Sequence, residues 1–418
     1  MNAAGMAAGG ALRQVLTLLG GSSIAQAIAL AASLVLTRLY TPEQFGTFAL
    51  FASVVTLLST GATGRYELAV LLPASDDEAW QVAWLALLIA LPVVALTLAA
   101  VAVWGDALAA RAGDLRLGVW AWLLPLAVWL TAVVNTLTGW ANRCQAFRGL
   151  AINRIAQTGI TSVASIGLGV IGWASPGLML GSVLGQATGA ALLVGGGPRP
   201  AVRGVDVPRL SALASRYRDF PRINLPHAVL DALQASVVLC LLGAVYGAAA
   251  LGGYAFALRV ARAPLAMLGA SIGAVFQQRA ARLVSTQCDL ADLARRTVRR
   301  LAVFAVPVFL VLMCAPDLFA WLFGAEWRAA GEQARVLAPW MVLNFMTSPL
   351  SQLPLIVGRQ GRAFGFGIAY QLAMVVPVAI GWALDWPLLH ALAAQSALTS
   401  GVLLVYGRWL LQLSRGAA

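Results

Sequence analysis

The sequence predicts an all-α, polytopic membrane protein with about twelve transmembrane helices in two six-helix lobes. Three observations carry this. Of 418 residues, 60% are hydrophobic and 11% are charged, and mean hydropathy is +0.82, whereas soluble domains carry about 45–50% apolar and about 25% charged residues. The apolar runs are about 20 residues long, which suits a helical span that satisfies its own backbone hydrogen bonds in lipid and not an alternating barrel strand. The Arg residues fall between these runs and mostly on one side of them.

Taken in order, spans are expected near 14–36, 46–72, 80–103, 117–139, 151–173 and 176–196, then near 223–246, 250–275, 298–321, 334–357, 363–384 and 387–410. The first run is too long for a signal-peptide core and lacks an evident cleavage site, so it is expected to stay as span one. Residues 1–196 then form an N-terminal six-helix lobe, 197–222 a cytoplasmic Arg-rich linker with four Pro and six Arg, and 223–418 a C-terminal six-helix lobe. With both termini cytoplasmic, twenty Arg collect in or beside the cytoplasmic segments and five on the opposite side, as the positive-inside rule requires. The acidic stretch PASDDEA at 73–79 runs against that trend, although acidic residues count for little in the rule.

The halves share a short signature. Tyr40, Gly46, Phe48 and Ala49 recur at the same spacing as Tyr246, Gly252, Tyr254 and Ala255, each set at the junction of a half's first two spans. With the central linker this implies a parallel duplication, as in transporters built from two similarly oriented halves.

The net charge of +12 does not indicate nucleic acid, because the basic residues are spread among apolar spans and form no solvated basic face. All 28 basic residues are Arg. Cys144, Cys240, Cys288 and Cys314 show no metal or disulfide spacing and are expected to fill the core. No metal site is expected. Trp104, Trp120, Trp173, Trp321, Trp327, Trp382 and Trp386 lie near span edges, as in an aromatic belt.

Charges inside spans are expensive and normally mark function. Arg65 and Glu67 fall in the second span, His227 and Asp231 in the seventh, and Arg259 and Arg262 in the eighth. Arg259 and Arg262, three apart, would share one face of an α-helix at a depth beyond easy snorkelling. Guanidinium pairs suit an anionic group such as pyrophosphate; the competing reading is a structural pair with Asp231 or with helix-end carbonyls. The spacing of four between His227 and Asp231 allows the carboxylate to tune the imidazole, hence a proton-coupling role or a pair at a helix start. Arg65 and Glu67, two apart, are expected to point to different faces and to find partners on other helices.

Three stretches resemble the polysaccharide-transporter, O-antigen flippase-like family of the multidrug/oligosaccharidyl-lipid/polysaccharide exporter superfamily. They begin LTRLYTPEQFG at 36, FPRINLPHAVLD at 220 and FGAEWRAAGEQ at 323, and TRLYTPEQFG and RYELAVLLP are the most specific segments. The resemblance implies a twelve-span, two-lobed flippase of the bacterial inner membrane and no enzyme. Its substrate would be an undecaprenyl-pyrophosphate-linked glycan such as an O-antigen or exopolysaccharide unit. It makes Arg259, Arg262 and Arg65 candidates for the headgroup, and His227, Asp231 and Glu67 candidates for proton or cation coupling. Membrane lipids, a polysaccharide polymerase and chain-length machinery are the implied partners, and no cofactor is expected. Two alternatives stand beside it: a drug exporter of the same fold, and a membrane glycan polymerase, for which the outer loop near 317–333 offers only Asp317, Glu326 and Glu332.

Overall fold

The computed structural model describes residues 3–111, 120–196, 206–285 and 290–415. Among them there is no strand. The sixteen α-helices are α1 (Ala3–Leu39), α2 (Pro42–Ala62), α3 (Tyr66–Ala69), α4 (Asp76–Arg111), α5 (Leu123–Arg143), α6 (Phe147–Val170), α7 (Ala174–Gly196), α8 (Val207–Arg216), α9 (Leu225–Ala257), α10 (Ala263–Ser285), α11 (Leu290–Met313), α12 (Ala315–Phe323), α13 (Arg328–Thr347), α14 (Leu353–Ile356), α15 (Gln360–Ala383) and α16 (Leu388–Arg415). Cys288, Arg116, the start of the fourth predicted span and linker positions 197–205 lie outside the described residues.

Among the described residues, each of the twelve predicted spans falls for most of its length on helical backbone. Eight stretches are long and apolar enough to cross a bilayer alone, and α11 with α12, bent by 71° at Cys314, makes a ninth. The other three predicted spans are not uninterrupted apolar helices of that kind. The helix α6 carries Arg148, Asn153, Arg154 and Gln157. The tenth predicted span is α13 with its 3₁₀ continuation Ser348–Gln352 and α14. The eighth is fused to the seventh in α9, where Gly247 breaks the helix with φ 85° and ψ 167°. That conformation lies in the region glycine enters without a Cβ penalty. The protein is thus a multi-pass, all-helical membrane protein.

Two compact units divide the chain: unit 1 holds Met1–Tyr40 and Phe48–Ser236, unit 2 holds Thr41–Thr47 and Val237–Ala418. In unit 1 the second half of the Arg-rich linker is the amphipathic helix α8, capped by the Asp206 carboxylate, which accepts from the Arg209 backbone N–H. Its Leu210 and Leu213, with Tyr217, pack on Ala79, Val82, Ala83 and Trp140. Two of the three carboxylates in the acidic stretch that opposed the charge rule are paired with Arg here. Asp76 pairs with Arg143 at 2.9 Å and Glu78 with Arg216 at 2.7 Å, while Arg143 also donates to the Pro73 carbonyl at 2.8 Å.

The repeated signature marks close helix packing. In unit 2, Gly46 at the start of α2 and Gly252 in α9 face one another: a Cβ on Gly252 would strike the Pro42 carbonyl oxygen and lie 2.8 Å from Gly46 N. The paired tyrosines meet glycines as well. In unit 1, Tyr40 packs on Gly169 and Gly177 and donates to the Ser165 carbonyl at 2.7 Å; in unit 2, Tyr246 packs on Gly381.

Two expectations need correction. Trp327 belongs to no aromatic belt, since it is 1% exposed and its ring centroid lies 4.4 Å from that of Phe256 and 5.0 Å from that of Phe45. The 3₁₀ turn Ala325–Trp327 after Gly324 folds it inward. Cys240 and Cys314 are exposed and fill no core.

Candidate functional site

The second predicted span stops early. Gly64 (φ 60°) and Arg65 (φ 64°) both take the left-handed conformation, so α2 ends at Ala62 and α3 is a separate single turn. For Arg this conformation is uncommon and costs about 1–3 kcal/mol, and such strain concentrates at functional sites. Its consequence is local: Arg65 Nη1 comes to 3.4 Å from Glu67 Oε1, and Arg65 Nε donates to Asn224 Oδ1 at 3.0 Å. The Thr63 hydroxyl donates to the other Glu67 oxygen. The expectation that Arg65 and Glu67 diverge assumed continuous helix; the break turns them into partners. Glu67 is 8% exposed, and its carbonyl approaches Gly139 of α5 so closely that a Cβ there would sit 2.7 Å away. Between them, Tyr66 donates to the Ala214 carbonyl at 3.0 Å; burial pushes its phenol above the ordinary range, opposed by Arg222.

His227 Nδ1 stands 3.4 Å from Asp231 Oδ2, one turn apart in α9, and both side chains are exposed. An exposed pair of this kind contributes at most about 1 kcal/mol to stability.

In unit 2, Arg259 and Arg262 occupy the π-helical turn Leu258–Arg262. Pro264 supplies the reason: it has no N–H to donate to the carbonyl four residues back, so the ladder widens. A second π turn, Phe220–Asn224, is likewise followed two residues later by Pro226. In a π turn, residues three apart are rotated further from each other than on an α-helix, so the two guanidiniums are not stacked on one face as expected. Arg259 is half-buried and Arg262 exposed. The Arg262 guanidinium carbon lies 5.3 Å from the centroid of the Trp340 ring, a cation–π arrangement. Trp340 is fully buried and is held by donating Nε1–H to the Tyr370 hydroxyl at 2.9 Å. Among the described residues no carboxylate lies within 4 Å of either Arg. Two guanidiniums therefore remain available to an anion on an irregular turn.

The charge-based reading missed a polar cavity of about 460 Å³ inside unit 1, lined by Asn135, Thr138, Asn142, Asn153, Gln157 and Gln186, with Arg154 and Ser22 at its wall. Gln157 donates to Gln186 at 2.9 Å and Arg154 to the Ser22 hydroxyl at 2.6 Å. The Asn153 side chain is 4% exposed and its Oδ1 has no hydrogen-bond partner. Such an atom normally calls for a ligand or water. The signal was in the sequence: positions 135, 138 and 142, and 153 and 157, follow helical spacing, which places uncharged amides and hydroxyls on one stripe of each of two spans.

A family model described as "Polysaccharide biosynthesis protein" matches residues 35–332. No curated protein matches the chain significantly. Among solved structures, the chain is similar to a lipid II flippase, MurJ, in an inward closed conformation (TM-score 0.68, 12% identity, 96% of this chain and 90% of that one). It is also similar to an inward-facing multidrug resistance MATE family transporter of the MOP superfamily (TM-score 0.67, 16% identity, 94% and 96%). A third likeness is to a MOP superfamily transporter from Pyrococcus furiosus Vc1 (TM-score 0.63, 15% identity, 96% and 95%). At these identities the likeness establishes the fold alone and neither an activity nor a substrate. By the match over residues 35–332, the chain belongs to the polysaccharide biosynthesis protein family.

Proposed function

We propose that this protein is a flippase that moves an undecaprenyl-pyrophosphate-linked oligosaccharide, an O-antigen or exopolysaccharide unit, across the bacterial inner membrane by alternating access, with both termini cytoplasmic. The observation that carries the reading is the pair Arg259 and Arg262, free of carboxylates among the described residues, on a π turn of a membrane helix. Retaining two cations there is costly unless an anion meets them. Pyrophosphate offers several acceptor oxygens to guanidinium donors. Arg65, held by Glu67 and Asn224 in unit 1, is a further candidate for an anionic headgroup.

The amide-lined cavity of unit 1 suits sugar hydroxyls, because an amide both donates and accepts. It has Arg154 in its wall and no carboxylate, which disfavours organic cations and hence the drug-exporter reading. Membership of a polysaccharide biosynthesis family supports the glycan. His227 with Asp231, and Glu67, are the titratable groups assigned to proton coupling. A polymerase and chain-length machinery are the expected receivers of the flipped unit.

The test follows labelled lipid-linked sugar moving between leaflets of proteoliposomes. Arg259→Ala/Arg262→Ala, inserted normally, should slow that movement at least tenfold. Undiminished transport by this variant, or transport of organic cations with none of the lipid-linked sugar, overturns the proposal.

A further inference from the structure

Away from the residues above, α10 and α11 of unit 2 enclose a groove of about 660 Å³ whose two ends differ in chemistry. On α11, Asp292, Arg296 and Arg300 recur every fourth residue, and the same stripe continues to Val303 and Phe304. On α10, Arg279 lies toward the charged end, and Phe276, Val275 and Ile272 follow toward the apolar end. From Asp292 to Phe304 the α11 wall changes from ionic to hydrocarbon over about 18 Å, at 1.5 Å per residue. Val275, Val303 and Phe304 are at least half exposed, so this end opens onto the surface that meets acyl chains.

Charge decides what fits. Among the described residues lining the groove, three guanidiniums face one carboxylate, and that carboxylate is already paired, Asp292 to Arg296 at 2.7 Å. The head end therefore carries a net positive charge of two. We propose that this groove is a binding site for an anionic glycerophospholipid of the surrounding bilayer, with its phosphate among Arg279, Arg296 and Arg300 and its acyl chain along Val275, Val303 and Phe304. Basic pockets between membrane helices are a recurrent solution for anionic headgroups. A groove open to the bilayer is in constant exchange with bulk lipid, so the abundant anionic phospholipid fills it in preference to a scarce carrier lipid. The site is independent of the pyrophosphate reading, since it uses none of those residues.

Native mass spectrometry of the full-length protein released from bilayers of phosphatidylglycerol and phosphatidylcholine with matched chains tests this. Wild type should retain phosphatidylglycerol preferentially. Arg279→Gln/Arg296→Gln/Arg300→Gln should lower that preference on the order of a hundredfold, at about a fivefold loss per removed charge near the surface. Arg359→Gln/Arg362→Gln/Arg408→Gln, which removes equal charge elsewhere, should leave it within severalfold of wild type. If the triple groove variant does not fold, Arg300→Gln alone and Val303→Trp, which occludes the apolar end without altering charge, carry the test and should each reduce retention. Equal loss in groove and control variants, or no loss in the groove variants, overturns the site. Displacement of phosphatidylglycerol by an equimolar polyprenyl phosphate overturns the assignment of its occupant.

Discussion

The contact between Gly46 and Gly252 makes a sharp demand on the sequence. A methyl group at position 252 would be driven into the Pro42 carbonyl oxygen and would lie 2.8 Å from Gly46 N and from the Pro42 carbonyl carbon. Ordinary van der Waals contact is 3.4–4 Å. Both obstacles are backbone, so no rotamer change relieves them and α2 must shift bodily against α9. Overpacking costs about 1–3 kcal/mol where side chains can adjust; with rigid backbone on both sides, Gly252→Ala should fall at the upper end, about 3 kcal/mol, roughly a hundredfold in the folding equilibrium. The assay is thermal unfolding of purified protein in detergent, with Gly401→Ala as reference. Gly401 sits mid-helix in α16 with nothing within 4 Å of its added Cβ, so that change should be neutral or stabilising through helix propensity, by up to about 1 kcal/mol. Gly46→Ala meets the Ala248 carbonyl and should mimic Gly252→Ala, and the double variant should cost less than the sum, since one displacement relieves both clashes. If Gly252→Ala melts with Gly401→Ala, the close approach of α2 and α9 is not there.

Three other outcomes follow. Arg65→Gln strands the Glu67 carboxylate in a site 8% exposed and should destabilise by about 1–3 kcal/mol, whereas Glu67→Gln leaves a more exposed guanidinium and should cost less; equal melting temperatures would dismiss the asymmetry. Asn153→Leu removes an unpartnered buried oxygen, so stability should hold or rise while glycan export falls, and a variant that exports normally would remove the cavity from the mechanism. Burial, reinforced by the Asp76 carboxylate and opposed by Arg143, holds the Cys144 thiol above its ordinary range. Because only the thiolate reacts, maleimide labelling of a variant with Cys144 as its sole cysteine should need higher pH than a free thiol does. Asp76→Asn should move that profile to lower pH, and an unmoved profile would count against the Asp76 contribution.

How much of this was legible in the sequence depends on whether a feature rests on periodicity or on a break in it. Span placement rests on apolar run length, and each predicted span coincides for most of its described length with helix, the second ending early at Ala62. The spacing from Tyr40 to Gly46, repeated from Tyr246 to Gly252, marked residues that pack in equivalent ways. The pairing of Arg65 with Glu67 was hidden, because helical spacing forbids it and only the left-handed backbone at Gly64 and Arg65 brings it about. The relation of Arg259 to Arg262 was misjudged for the same reason, although Pro264 announces a disturbed turn. Trp327 was assigned to the aromatic belt by position alone, and a single 3₁₀ turn after Gly324 buries it. The amide cavity carries little signal in the hydropathy of the sequence, because Asn and Gln cost less than charges to place in a span and so stand out less.

The charged groups and the breaks in helical geometry coincide. Arg65 sits on the left-handed turn that ends α2; its partner Asn224 closes one π turn; Arg259 and Arg262 ride on the other; and Gly247 interrupts the helix between them. In a bilayer, backbone that leaves the α-helix frees polar groups, and it is tolerated only where protein or a water-filled cavity satisfies them. A charge in a span meets the same condition. Both kinds of expense meet in the segments 63–67, 220–231 and 247–262, while α15 and α16 run as long helices without such a turn. Under the proposed headgroup assignment, the candidate residues lie at irregular turns, an arrangement that would let ligand binding be coupled to a conformational change.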